Sequence, residues 1–193
     1  MTLPSTNTHA TLHLISGVFL ALMVLLPSST IAAQNKAAEA AYEGAAGLVQ
    51  LQLWDKAAKG YLEYFEKFPK HEMAGHAHYG LGLCHFNLKD YTSAARELKA
   101  AANSRGRSQP NPVEVNLLLG QALMMKEPSD FGDAEEAFET SLKSLGFSKS
   151  GIIIRSWDER NVKKWLGKTK DAVRKRVAAD VFLGLLEATY FQG

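Results

Sequence analysis

The chain has 193 residues, 46% of them hydrophobic and 22% charged, enough to bury one sizeable core and too apolar to stay disordered. Lys plus Arg number 22 against 20 Asp plus Glu, a formal charge of +2, which denies it the strongly basic balance of a dedicated nucleic-acid binder. Its single cysteine, Cys84, forbids an internal disulfide and any multi-cysteine zinc site.

Residues 1–33 contain no Asp, Glu, Lys or Arg, and Leu14 to Leu26 is an apolar run broken only by Ser16 and Gly17. At 1.5 Å per residue the run reaches roughly 20 Å, short of the ~30 Å hydrocarbon core of a bilayer. It ends at Pro27, and Thr30-Ile31-Ala32-Ala33 supplies the small residues that a signal peptidase needs. The expectation is an export signal over 1–33, cut near Ala33, and a periplasmic or cell-envelope location.

The middle of the chain, 34–147, is predicted to be helical throughout. The prolines at 69, 110, 112 and 128 fall between apolar-periodic segments. Ala57, Ala94 and Ala137 sit in similar surroundings just after a turn: Trp54-Asp55-Lys56-Ala57, Asp90-Tyr91-Thr92-Ser93-Ala94 and Asp133-Ala134-Glu135-Glu136-Ala137. Each is expected to open a second helix. Upstream lies a first helix with a small-residue spot, at Gly44-Ala45, Leu81-Gly82 and Leu119-Gly120, where helices approach closely. The unit is a helical hairpin present in three copies, the third with a turn lengthened around Pro128.

The second copy carries His78-x2-Leu81-Gly82-x2-His85, Asp90-Tyr91 and Ala94-x3-Leu98. The first carries Trp54, Ala57-x3-Tyr61 and a closing Pro69, and the third Leu119-Gly120 and Ala137, with Ser141 at the place of an expected aromatic. This arrangement resembles the tetratricopeptide repeat. The stretch from Tyr61 to Pro69 followed by Ala74 to Gly82 is similar in style to exported bacterial proteins of that family. The resemblance implies an all-α fold of antiparallel hairpins stacked as a right-handed superhelix.

The remainder, 148–193, opens as a basic segment: Ser148 to Arg176 holds 10 basic and 3 acidic residues. The spacing Ser156-x-x-Glu159 predicts a helix from Trp157 to about Leu166 or Gly167. From Asp171 onward Ala172, Val173, Val177, Ala178, Val181, Phe182, Leu185, Leu186 and Thr189 form an apolar stripe opposite Arg174, Lys175 and Asp180. Leu183-Gly184 and Tyr190 suggest the first helix of a fourth hairpin, either a cap on the array or a unit of a longer protein.

Catalytic signals are lacking, with no phosphate loop, nucleophile elbow or paired carboxylates, so no enzyme activity and no cofactor is expected. His71, His76, His78, Cys84 and His85 lie close in sequence, but the spacings do not bring ligands together. His78 and His85 are seven apart, about 10.5 Å along a helix, and His71 and His76 are five apart rather than four. Both His78 and His85 are expected at packing places, and no metal is assigned.

Binding is the function that the resemblance implies, because first helices of tetratricopeptide arrays line a concave groove. Carried onto this sequence, that pattern assigns Glu39, Tyr42, Ala46, Val49 and Gln50; then His76, Tyr79, Leu83, Phe86 and Asn87; then Glu114, Leu117, Gln121, Met124 and Met125. Tyr42, Ala46, Leu83 and Glu114 occupy the places where a carboxylate clamp needs Lys, Arg or Asn, so no clamp is expected. The partner is a protein or peptide gripped by adaptable rings and thioethers. No nucleic acid is expected. The alternative is a structural protein of the cell envelope that docks to an anionic membrane or polysaccharide through 149–176, with Lys163, Lys164, Lys168, Lys170, Arg174, Lys175 and Arg176 as the patch.

Overall fold

The computed structural model describes residues 28–105, 108–146 and 172–192, and among these every regular element is an α-helix. In chain order they are α1 (Ser28–Gln50), α2 (Trp54–Lys67), α3 (Ala74–Asn87), α4 (Tyr91–Ala102), α5 (Pro112–Met125), α6 (Phe131–Ser144) and α7 (Ala172–Gln192). The predicted helix Trp157–Leu166 lies outside the described residues. The chain divides into two units, Met1–Ala37 and Ala38–Gly193. In the first, the described residues are the opening of α1, exposed from Ile31 to Ala37. No described helix is long and apolar enough to cross a membrane.

Within the second unit, α1–α2, α3–α4 and α5–α6 are the three expected hairpins, and α7 packs on α6 and α5. Their ends are set locally. The Asp90 carboxylate accepts from the Ser93 backbone N–H at 3.1 Å, that of Asp130 from Asp133 at 3.1 Å, and the Asn111 side chain from Val113 at 3.0 Å, with Pro112 in the first turn. Each satisfies a donor that the first turn of a helix leaves unpaired.

The first two hairpin turns are copies of one another at a spacing of 37 residues. Gln52 N–H donates to Val49 and Leu53 N–H to Leu48, as Lys89 N–H donates to Phe86 and Asp90 N–H to His85. Gln52 and Lys89 both take the left-handed conformation, with φ of 56° and 64°. In the third hairpin the closing bond runs from Asp130 N–H to the Leu123 carbonyl at 2.9 Å. Four residues lie between His85 and Asp90 and six between Leu123 and Asp130, so the lengthened turn around Pro128 amounts to two extra residues.

That closure corrects the register of the third copy. The residue equivalent to Ala57 and Ala94 is Ala134, not Ala137. All three are fully buried, and their backbone N–H groups donate to Leu53, Asp90 and Asp130, the residues before each second helix. The pattern Ala57-x3-Tyr61 and Ala94-x3-Leu98 therefore continues as Ala134-x3-Phe138. Gly82 lies against Leu98, and Gly120 against Phe138. Ser141 is not a lost aromatic. It is fully buried, and its hydroxyl donates across the hairpin to the Val113 carbonyl at 2.9 Å.

Two more expectations change. Gly44 is not a point of close approach, since a Cβ there would meet nothing within 4 Å; the contact in the first hairpin is Ala45 against Gly60. Leu183-Gly184 is likewise not the Leu-Gly pair of a fourth first helix. Gly184 rests on Phe138 of the preceding hairpin, as Gly80 rests on Tyr61. The equivalents of Leu81 and Leu119 in α7 is thus Leu185, and Val181, Leu185 and Ala188, all fully buried, repeat Ala77-Leu81-Cys84 and Val115-Leu119-Ala122. Leu186 leaves the predicted stripe and is 46% exposed.

The interior is alanine-rich between helices and aromatic at its centres. Ala45, Ala57, Tyr61, Tyr64, Leu81 and Cys84 join α1, α2 and α3. Leu98, Leu119, Leu123, Phe138, Leu142 and Leu185 join α4 to α7. Neither hairpin buries its apolar faces alone, which is why the units stack.

Candidate binding groove

The corrected register aligns five positions of each first helix. One row contains Glu39, His76, Glu114 and Asp180. The next contains Tyr42, Tyr79, Leu117 and Leu183, then Ala46, Leu83, Gln121 and Glu187, then Val49, Phe86, Met124 and Tyr190, and last Gln50, Asn87, Met125 and Phe191. The first three members of each row are the residues assigned from sequence. Alignment on the buried triplet Val181, Leu185 and Ala188 adds the α7 members.

None of these side chains is fully buried. Tyr42, Val49, His76, Tyr79, Leu83, Phe86, Leu117, Gln121 and Met124 are half-buried, while Asn87 and Met125 are exposed. Tyr42 and Val49 rest on the N-terminal core, and Tyr79, Phe86, Leu117 and Met124 on the C-terminal one, each with one side inward and the other free. A cleft of about 380 Å³ opens here, lined by Phe86, Gln121, Met124, Met125, Leu183 and the carboxylate-bearing Asp180 and Glu187. It joins α3, α5 and α7 on the first-helix face.

Neighbouring rows touch in a repeated way. The Tyr42 ring stands edge-on to His76 at 6.3 Å between centroids, and Tyr79 hydrogen-bonds Glu114, the counterpart of His76 one hairpin on. Burial first, and then the Glu114 charge, push the Tyr79 phenol up to about 12, so it stays a neutral donor. Burial also holds His76 below the usual histidine range. Asn87 is turned back on its own helix, its amide donating to the Leu83 carbonyl at 2.8 Å. Glu114 accepts a further bond from Asn111 at 3.1 Å. Among the described residues, no ion pair engages Glu39, Glu114, Asp180 or Glu187.

The other described histidines have structural partners. His71 Nδ1 lies 3.0 Å from the Tyr64 hydroxyl. His78 stacks on Phe65 at 4.3 Å and meets Glu97 at 2.9 Å, with the Arg96 Nε donating to the other Glu97 oxygen at 3.0 Å. Those contacts hold the Glu97 carboxyl below its usual range, His78 being the largest cause. His85 pairs with Asp90 at 3.5 Å. Cys84 is fully buried, and desolvation pushes its thiol up to about 11. Among the described residues, no three His, Cys, Asp or Glu side chains are arranged to hold a metal ion.

Of the predicted basic patch, Lys163, Lys164, Lys168 and Lys170 lie outside the described residues. Arg174 lies within α7, Lys175 is half-buried and Arg176 exposed. A second cleft, of about 220 Å³, sits between α4, α5 and α6 beside the Lys99–Asp133 bridge of 3.0 Å.

The fold and its ladder of first helices define an all-α solenoid of tetratricopeptide type. Among solved structures the chain is similar to PcrH from Pseudomonas aeruginosa, with a TM-score of 0.53 and 16% identity, over 85% of this chain and 95% of that one. MamA (41-end) from Desulfovibrio magneticus RS-1 aligns with a TM-score of 0.47 and 19% identity, over 80% of this chain and 77% of that one. At such identities the PcrH likeness is one of fold. No protein-family model and no curated protein matches the chain.

Proposed function

We propose that this chain is an exported, non-enzymatic scaffold that holds a protein or peptide along the first-helix face. One observation carries the reading. Four first helices in register present rows of large apolar side chains that are neither buried in the core nor replaced by charge, and those rows converge on the cleft at Phe86 and Met124. Exposed apolar surface of this kind is costly to keep in water and marks interaction sites. Export rests on the uncharged segment 1–33, and cleavage near Ala33 would leave Glu39 and every later groove position in place.

The test is a pull-down from envelope extract, comparing the protein with a Phe86→Ala, Met124→Ala variant whose circular dichroism is unchanged. A partner held by the first and lost by the second supports the reading. Partners held equally by both would remove the groove from the function.

A further inference from the structure

We infer that the occupant of the groove is a cationic amphipathic helix, apolar on one edge and carrying Lys or Arg along the other. The inference rests on the proposed binding role of the first-helix face and specifies the chemistry of its partner.

The argument is one of charge and shape. None of the twenty aligned groove positions is Lys or Arg, while four are Glu or Asp. All four of these carboxylates are exposed and outside any ion pair among the described residues. The bias exceeds that of the surrounding repeats, since residues 34–147 hold 12 Lys and Arg against 15 Asp and Glu. On α7 the sequence Asp180, Leu183, Glu187 places acid, leucine and acid at i, i+3 and i+7. The two carboxylates are then about 10.5 Å apart along one line, two helical turns. A partner helix with basic residues seven apart and leucine-like residues between them repeats the same spacing, as in helix-in-groove recognition.

The apolar half of the match lies alongside. Leu183 is 58% exposed, Met125 51% and Tyr190 80%, and the cleft of about 380 Å³ brings Met125 and Leu183 beside both α7 carboxylates. An acidic partner would set like charges against Asp180 and Glu187, and a purely apolar one would leave them beside a dry face. A basic amphipathic helix satisfies both. Because the carboxylates are exposed, they act over roughly a Debye length of 8 Å and chiefly speed and orient encounter, so binding weakens with salt.

The experiment uses the full chain and a fluorescein-labelled helical peptide of sequence LKKLLKLLKKLLKL, read by fluorescence anisotropy. The control peptide has glutamate at every lysine. The Lys peptide is expected to bind, and the Glu peptide to bind at least about tenfold more weakly. Asp180→Asn with Glu187→Gln, which disturbs no described hydrogen bond, is expected to weaken the Lys peptide about five- to tenfold and to flatten its salt dependence.

Equal binding of the two peptides, or unchanged binding to the neutralised variant, overturns the inference. If equal binding is also lost in the Phe86→Ala, Met124→Ala variant, the groove stands and only its charge preference fails. If that variant binds as well as the parent, the groove reading fails too. A dimer in sedimentation that excludes the Lys peptide and disappears in the neutralised variant would assign the face to a second copy and overturn the inference.

Discussion

Gly184 of α7 rests on Phe138 of α6 as Gly80 of α3 rests on Tyr61 of α2: a Cβ on either glycine would run into the ring it covers. Phe138 is also met by Gly120 from its own hairpin, at 2.6 Å from a built Cβ. The ring is thus held by glycines of two different first helices, and it ties α5, α6 and α7 into one core.

Gly120→Ala and Gly184→Ala are therefore each expected to lower stability by about 1–3 kcal/mol, the usual cost of forcing a methyl group into a filled core. Gly44→Ala and Gly47→Ala, where an added Cβ meets nothing within 4 Å, are expected to raise stability by about 0.5–1 kcal/mol through helix propensity. Urea unfolding of the four variants checks both signs. Destabilisation at Gly44 or Gly47 would show an unsuspected contact on that face.

Ser141 tests the register. Its buried hydroxyl donates to the Val113 carbonyl at 2.9 Å, a second bond to an oxygen that the first turn of α5 also engages, so Ser141→Ala is expected to cost about 0.5–1.5 kcal/mol, the net worth of one hydrogen bond. Ser141→Phe, which a register placing an aromatic here would favour, is expected to be worse than alanine because the site is 0% exposed. A more stable phenylalanine variant in thermal unfolding would contradict the alignment on Ala134.

Gln52 and Lys89 hold equivalent left-handed turn positions, at φ of 56° and 64°. L-residues there pay roughly 1–2 kcal/mol that glycine does not, against a gain in unfolded-chain freedom. Gln52→Gly and Lys89→Gly are each expected to stabilise by about 0.5–1 kcal/mol, and Lys89→Val to destabilise. Chemical denaturation curves with unchanged m-values would report the effect as one on stability alone.

Glu97 gives the fold an acid limb. Its carboxyl is held below the ordinary 4.5 by hydrogen bonding to His78, and secondarily to Arg96, against the cost of burial. A carboxyl with a lowered native pKa contributes stability that is complete above its unfolded pKa and is lost as pH falls through the native value. Glu97→Gln is expected to cost about 1–3 kcal/mol at pH 7, with parent and variant converging below 4.5. Parallel unfolding curves between pH 7 and 3 measure this, and a gap that widens in acid would contradict it.

Cys84 has 0% exposure and a thiol pushed up to about 11 by burial. At pH 8 it is expected to resist iodoacetamide in the folded protein and to react fully in denaturant. Mass spectrometry after labelling is sufficient. Rapid native labelling would mean that the interface between α2 and α3 opens on the labelling timescale.

The hairpins were legible because each depends on signals a few residues long, such as Asp90-Tyr91 after its turn and the Leu81-Gly82 and Leu119-Gly120 pairs. Once a first helix is placed, its outward positions follow by counting. The third copy was not. Ala134 and Ala137 lie three residues apart, nearly one helical turn, so both fall on the inner face and periodicity cannot choose between them. Leu183-Gly184 misled because a Leu-Gly pair does not say which helix the glycine will meet.

The amino-acid sequence by itself determined that the described part of this chain is built of helical hairpins, because propensity, capping and turn chemistry act locally. Tertiary structure alone decided the register. Only a close approach, Gly184 onto Phe138 in place of a Leu-Gly pair facing its own second helix, fixes which turn of α7 points inward. That choice in turn extends the groove to Asp180, Leu183 and Glu187, because packing between residues distant in sequence is set by three-dimensional fit and leaves no local signal.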